Sequence, residues 1–276
     1  AVEAIRALRE SALTLGGDLV LCAHGLHEAP GGVAEDLEAA LADGAIRGDA
    51  ALVLELGADS LPVAQVGSAI FRARFSRAAG VTHEVFTPAG TPHPASAAAE
   101  AVQQIEALNQ RLAAVSLPHL GHETAFVGQV HCGDFYNRFP NTAFIEGTRR
   151  WAPERSAADV QRELGDLLAA VARRRGLDLE YTFSKVRDGC RIAEDHPLVR
   201  TLRQAYLDET GRALPFSGSR VVADASLFHH AGIPCAYHGL AGEGAHGDVE
   251  WIPESELRRA ARVYLRLAAA YLGLPA

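Results

Sequence analysis

The sequence predicts an α/β protein: a parallel-type mixed sheet covered by helices, interrupted by a separate antiparallel α+β unit. Two observations carry this. Short apolar runs such as Asp18-Leu19-Val20-Leu21-Cys22, the stretch Ala50–Glu55 and Ile233-Pro234-Cys235-Ala236-Tyr237 read as strands buried on both faces, and helical spacings separate them. Between about residues 63 and 189 the pattern changes to strands that alternate apolar and polar residues, the mark of a sheet with one wet face.

Taken in order, Val2, Ile5, Leu8 and Leu13 recur at helical spacing, and Gly16-Gly17 separates that helix from the strand Asp18–Cys22. Glu35–Leu41 reads as a short helix with Asp36, Glu38 and Asp43 outward. Ala50–Glu55 is a second apolar strand and closes on a carboxylate. From Gln65 to Arg77 the residues Val66, Ser68, Ile70, Arg72 and Arg74 mark an alternating strand, and the Pro-rich stretch Thr87–Pro94 is a loop. An Ala-rich helix over about 95–115 follows, then strands near 124–132 and 142–149, a helix over 157–174 and a strand at 179–186. This β-α-β-β-α-β order is the split ferredoxin-like pattern. From about His196 the helix and buried-strand alternation resumes and ends in a helix over 254–272. The expected division is therefore 1–62 and 190–276 for the α/β domain and 63–189 for the insert.

With 276 residues, 48% of them hydrophobic, the chain can bury one large or two ordinary cores. The net charge of -8 argues against a nucleic-acid footprint or a polybasic membrane anchor. No apolar stretch approaches a membrane span, and no charged-then-apolar signal pattern opens the sequence. The four cysteines, Cys22, Cys132, Cys190 and Cys235, form no C-x-x-C pair. Three lie in apolar, strand-like contexts where a free thiol behaves as a small buried hydrophobe, so a reduced, cytoplasmic protein is expected.

Two ionisable clusters follow apolar runs. One is His24-Gly25-Leu26-His27-Glu28-Ala29-Pro30-Gly31-Gly32; the other is Gly242-Glu243-Gly244-Ala245-His246-Gly247-Asp248. Loops at the end of sheet strands are where ligands and metals sit in α/β proteins, so the pair predicts a metal site assembled from distant parts of one sheet.

These residues, in this order, resemble the M20 metallopeptidases, a group of dinuclear zinc carboxypeptidases, aminopeptidases and N-acyl-amino-acid deacylases. The resemblance runs through His27-Glu28 with Gly31-Gly32, Glu55 at a strand end, and His83 in Gly80-Val81-Thr82-His83. It continues through Gly133-Asp134-Phe135-Tyr136-Asn137-Arg138-Phe139-Pro140 and Gly147-Thr148-Arg149-Arg150, then Asp224-Ala225, Gly232-Ile233-Pro234 and His246. It implies a zinc-peptidase-like catalytic domain with a ferredoxin-like insert that serves as lid and dimerisation domain, hence a homodimer. Two zinc ions are expected in the complete protein, with manganese or cobalt as substitutes, and the implied ligands are Glu28, Glu55 and His246. The family's first two ligands, in an H-x-D motif and a later bridging aspartate, precede the acidic pair, so the chain is expected to lack an N-terminal segment. The absence of methionine, even at position 1, agrees with that expectation.

The implied reaction is hydrolysis of an amide bond in a small peptide or N-acyl amino acid by a metal-activated water, with His83 acting on the substrate. Asn137 and Arg149 of the insert and Arg220 of the α/β domain are the expected substrate contacts, and Asp224 is expected to be a supporting carboxylate. Where the family has the first glutamate of a Glu-Glu pair, this chain has His27. Either His27 is the general base, for which a pKa of roughly 6.5 is suited, or Glu28 is the base and a neighbour, His24 or His27, takes its ligand role. The alternative function is a non-catalytic, dimeric amino-acid- or peptide-binding relative that has lost the metal site.

Overall fold

Burial alternates along the strands Gly67–Ser76 and Thr142–Trp151, and one buried stripe runs along each long helix. A computed structural model describes residues 1–11, 13–28 and 33–273. In chain order the elements are α1 (Val2–Glu10), α2 (Glu35–Ala42), β1 (Ala51–Val53), β2 (Leu61–Gln65), β3 (Gly67–Ser76), β4 (Thr82–His83), α3 (Pro94–Ala113), β5 (Thr124–Cys132) and β6 (Arg138–Phe139). They continue with β7 (Thr142–Trp151), α4 (Ala157–Arg175), β8 (Asp178–Arg187), β9 (Cys190–Arg191), α5 (Pro197–Thr210), β10 (Phe216–Ser219), α6 (Ala225–His230), β11 (Cys235–Tyr237) and α7 (Glu254–Leu272). The chain divides into two compact units, Ala1–Gln65 with Cys190–Ala276, and Val66–Gly189.

The second unit has a four-stranded antiparallel sheet in the order β5-β7-β3-β8, with α3 and α4 on one face, and a small β4–β6 ribbon. The alternation predicts this directly. Phe71, Ala73 and Phe75 point to the helices and are buried, whereas Ile70, Arg72 and Arg74 point outward. The helices answer with Ala97, Ala98, Ala101, Ile105 and Leu108 from α3 and Leu164, Leu168 and Val171 from α4. Each recurs at three or four residues, so one stripe per helix is removed from water. Ser156 caps α4 by accepting from the Asp159 amide at 3.1 Å, and Gly176 closes it in the left-handed region. Gly147 in β7 has no room for a side chain, because a Cβ there would lie 1.8 Å from the Phe126 carbonyl oxygen. The loop reading of 87–94 holds up to its last residue, where Pro94 starts α3.

In the first unit, β1 pairs with β11 in parallel, and β2 pairs with β10 in parallel and with β9 antiparallel. The mixed sheet is therefore present in two small pieces among the described residues. Leu61, Val63, Leu198, Leu202, Val263 and Leu267 form the core that joins β2 to α5 and α7. Pairing of β2 with β9 and β10 is why the unit boundary falls after Gln65.

Two expectations fail here. The run Asp18–Cys22 belongs to no strand, and Leu19, Val20 and Leu21 are exposed. Leu19 and Leu21 share the wall of a cavity of about 1000 Å³ with Leu52 and Val53 of β1, so the apolar run faces open space where a neighbouring strand was expected. The cysteine reading fails at two positions: Cys190 and Cys235 are buried, but Cys22 and Cys132 are exposed. Cys22 lines the same cavity as Leu19 and Leu21.

Candidate active site

Four loops of the first unit carry the site, and the local chain explains each. The segment leading to His27 turns at Leu26, whose φ of 53° is in the left-handed region that costs a non-glycine residue roughly 1–2 kcal/mol. Its carbonyl accepts from the Ala34 amide at 2.6 Å, which closes the loop onto the start of α2. Glycines 31 and 32 of the sequence motif lie outside the described residues.

Glu55 follows β1 at a bend. Leu56 next to it has φ 57°, and the Gly239 amide donates to the Leu56 carbonyl. A Cβ on Gly239 would meet the Leu56 backbone at 2.8 Å, so only glycine lets the two loops approach this closely. His246 has φ 61° itself and sits on a loop whose base is a two-residue bridge between Glu243 and Trp251, with hydrogen bonds of 3.0 and 3.1 Å. Among the described residues, three of the five non-glycine residues with positive φ, Leu26, Leu56 and His246, therefore adjoin or belong to the predicted site. Backbone strain concentrated this way is a mark of functional loops.

Asp224 precedes α6. A buried network holds the backbone on either side of it: Gln65 Oε1 accepts from the Ala223 amide at 3.0 Å, Gln65 Nε2 donates to the Ala223 carbonyl at 3.2 Å, and the Tyr237 hydroxyl accepts from the Ala225 amide at 2.9 Å. Tyr237 in turn donates to Gln65 Oε1, and burial pushes its phenol well above the ordinary range.

The side chains then meet in pairs. Nδ1 of His27 lies 2.8 Å from Oδ2 of Asp224, and its Nε2 lies 3.6 Å from Oε1 of Glu55. Nε2 of His24 is 3.4 Å from the same Asp224 oxygen, and its Nδ1 is 3.6 Å from Asp36. Nδ1 of His246 is 3.9 Å from Oε2 of Glu28. Burial alone would lower the His27 imidazole, but the carboxylates of Asp224, Glu55 and Glu28 outweigh it and hold the ring above its ordinary pKa. Burial raises Glu55; His27 opposes this, while Asp224 and Glu28 push in the same direction as burial.

The remaining expected residues are in the other unit or apart from this cluster. His83 and Asn137 come together on the β4–β6 ribbon, where Asn137 Nδ2 donates to His83 Nε2 at 3.0 Å and His83 Nδ1 faces Glu84 at 2.9 Å. Arg149 is a correction. It is fully buried, and its guanidinium is held by Glu123 at 2.5 Å and Glu163 at 3.0 Å, with Arg155 bridging the same two carboxylates. The alternation of β7 turns Arg149 inward with Ala143, Ile145 and Trp151, so it serves an internal ion network and has no open path to a substrate. Arg220 follows β10 and is exposed. Sequence reading marked His24, His27 and Asp224 singly but did not find that the two imidazoles meet Asp224, because contact across 197 residues leaves no local signal.

Fold and site define a class. A family comparison matches residues 1–270 to peptidase family M20/M25/M40, and the chain belongs to that family, one of amide-bond hydrolases. A comparison with curated proteins gives no match. Among solved structures, the aminopeptidase PepT of Bacillus cereus ATCC 10987 superposes with a TM-score of 0.77 at 18% identity, over 98% of this chain and 68% of its own. A tripeptidase from Staphylococcus aureus gives 0.68 at 19% identity, over 83% of this chain and 59% of its own. The YXEP protein of Bacillus subtilis, a dinuclear metal-binding peptidase of the M20 family, gives 0.60 at 17% identity, over 84% and 60%. The chain thus spans roughly three-fifths to two-thirds of the length of these structures.

Proposed function

We propose that this chain forms the main part of a metal-dependent hydrolase that cleaves an amide bond in a small peptide or N-acyl amino acid. The observation that carries the reading is the meeting of Glu28 with His246, and of His27 with Glu55 and Asp224, on the loops that the family resemblance marks. Peptidase neighbours support a peptide substrate in kind; the N-acyl amino acid belongs to the same chemistry, an amide beside a carboxylate.

Family membership implies a metal, and the donors fit it in kind: two carboxylates and an imidazole, with a second imidazole beside them. Among the described residues no group of three or more His, Cys, Asp or Glu stands at the spacing of an ion. These donors are therefore part of a ligand set. Glu28 and His246 would serve one ion and Glu55 another. When bound, zinc, or manganese or cobalt in its place, supplies an acidified water and polarises the scissile carbonyl. His27 or Glu28 would accept a proton from the attacking water and hand it to the leaving amine. Asn137, with His83 beside it, is a candidate contact for an oxyanion or a carboxylate, and Arg220 is an exposed candidate for the substrate carboxylate.

The βαββαβ unit is proposed to act as lid and to pair two copies. Its outer sheet face presents Ile70 and Phe126 in one cross-strand row with Thr148, which favours burial against a partner. No described helix is long and apolar enough to cross a membrane, and the reading places the enzyme in the cytoplasm.

The test is release of free amine from a panel of di- and tripeptides and N-acyl amino acids by the full-length protein, with zinc, manganese or cobalt and then with a chelator. Hydrolysis that the chelator abolishes is expected; no turnover of any member overturns the reading. The histidine at position 27 favours one second reading, a binding relative without catalysis, and calorimetric binding of these compounds with no turnover would establish it.

A further inference from the structure

We propose that Asp224 is a positioning residue for His27: it accepts the Nδ1 proton of the imidazole and so turns the Nε2 lone pair toward Glu55. The proposal rests on the hydrolytic reading of this pocket and adds to it what decides the direction in which His27 works.

The geometry assigns the proton. Asp224 is 3% exposed and its Oδ2 lies 2.8 Å from His27 Nδ1, a normal hydrogen-bond length. An ionised carboxylate only accepts, so the shared hydrogen belongs to the imidazole. A neutral ring with its hydrogen on Nδ1 carries its acceptor lone pair on Nε2. That atom stands 3.6 Å from Glu55 Oε1, too far for a direct hydrogen bond, so two acceptors face the same space. This is the arrangement in which a carboxylate orients a histidine that must take a proton or ligate a cation through its far nitrogen.

Three features separate this role from ordinary packing. Asp224 occupies the position before α6, but its side chain makes no cap hydrogen bond to that helix, so capping does not account for it. Its backbone is pinned on both sides by Gln65 and Tyr237, in a part of the core where each partner is itself buried. Finally, the His24–His27 turn holds Leu26 in the left-handed region, and this turn brings both imidazoles to the same Asp224 oxygen, His24 at 3.4 Å. Strain of this kind persists only where the surroundings enforce it.

The test uses full-length protein labelled with 15N at histidine, with the His27 ring read by long-range proton–nitrogen correlation at a pH of roughly 9, where a neutral ring shows its tautomer. Expected for the wild type are a protonated Nδ1 and a bare Nε2, and for Asp224→Asn the loss of that signature. In parallel, Asp224→Asn should lower kcat by about 10²–10⁴-fold with little change in KM, the size of a general-base contribution. In a His27→Ala background the same substitution should cost less than about twofold, because coupled residues are not additive. A wild-type His27 protonated on Nε2 overturns the proposal, and so does an equal loss from Asp224→Asn with and without His27. The wild-type tautomer needs no variant, so it decides even where Asp224→Asn does not fold. If no substrate is turned over but the Nδ1 signature is present and lost in Asp224→Asn, the positioning role stands and the hydrolytic reading alone fails.

Discussion

His246 and Glu28 stand 3.9 Å apart, Nδ1 to Oε2, with 78% and 68% of their side chains exposed. An ion pair this exposed contributes about 0–1 kcal/mol, so stability does not explain why a loop near the C-terminus is brought to the turn after His24. Ligation does. His246→Ala is expected to leave unfolding by urea within about 1 kcal/mol of wild type. It should sharply weaken zinc binding by titration calorimetry. Unchanged zinc affinity would remove His246 from the proposed ligand set.

His27 and Glu28 make opposite forecasts. If His27 is the base, His27→Ala should cut turnover by about 10²–10⁴-fold while the metal-to-protein ratio stays that of wild type. If Glu28 is the base, that phenotype belongs to Glu28→Gln. Metal analysis of both purified variants, alongside initial rates, separates the cases: loss of metal in both makes each a ligand.

Arg149 is the residue on which the second unit's interior depends. Its guanidinium faces Glu123, which is 6% exposed, and replacing it with alanine leaves that buried carboxylate to Arg155 and the Ala152 amide. Breaking a buried pair from one side costs roughly 3–5 kcal/mol. Arg149→Ala should therefore lower the urea midpoint of the protein by less than that equivalent, because Arg155 still pairs Glu123. Arg149→Lys should recover only part, since one ammonium cannot fork between Glu123 and Glu163. A midpoint near wild type for Arg149→Ala would mean that the network stabilises nothing.

His238 should give the fold a pH dependence. Its ring is fully buried between Tyr206 and Tyr264, and burial, with Arg259 nearby, lowers its pKa to about 4 from an ordinary 6.5. Below 6.5 the unfolded chain binds this proton and the folded chain does not. The stabilisation is thus complete above 6.5 and is lost as pH falls toward about 4, an effect of up to about 3 kcal/mol. Unfolding free energies of wild type and His238→Gln, measured between pH 4 and 7, should converge as the pH falls. Parallel curves would show that His238 titrates alike in both states.

How far the sequence could be read follows from the range of each signal. The β3, β7 and β8 strands and the α3 and α4 helices were legible because alternation and helical spacing are local. Asp18–Cys22 was misread because an apolar run states a preference for burial and does not supply the neighbouring strand. The inward register of β7 would have placed Arg149 in the core, since Ala143, Ile145 and Gly147 fix the phase. Its partners Glu123 and Glu163 come from other elements, and no spacing announces them. Asp224 and His27 meet through a turn at Leu26 and a core network at Gln65 and Tyr237, both products of the folded chain.

Leu26 offers a test of what that turn does. Its left-handed conformation costs a leucine roughly 1–2 kcal/mol, and glycine adopts it freely. Glycine also gives the unfolded chain more freedom, at a cost of roughly 0.5–1 kcal/mol. The side chain is 54% exposed, so little burial is lost on removing it. The two backbone effects nearly cancel, and Leu26→Gly should have a melting temperature equal to wild type or slightly above it. Activity should move the other way. Leucine at this position restricts the turn to few alternatives, whereas glycine lets the His24–His27 segment sample many, so the imidazoles spend less time on the Asp224 oxygen. A fall in kcat of about tenfold, with KM and bound metal unchanged, is the expected result for a positioning defect. A stable Leu26→Gly with wild-type kcat would show that the strain at Leu26 has no part in holding His27 to its task.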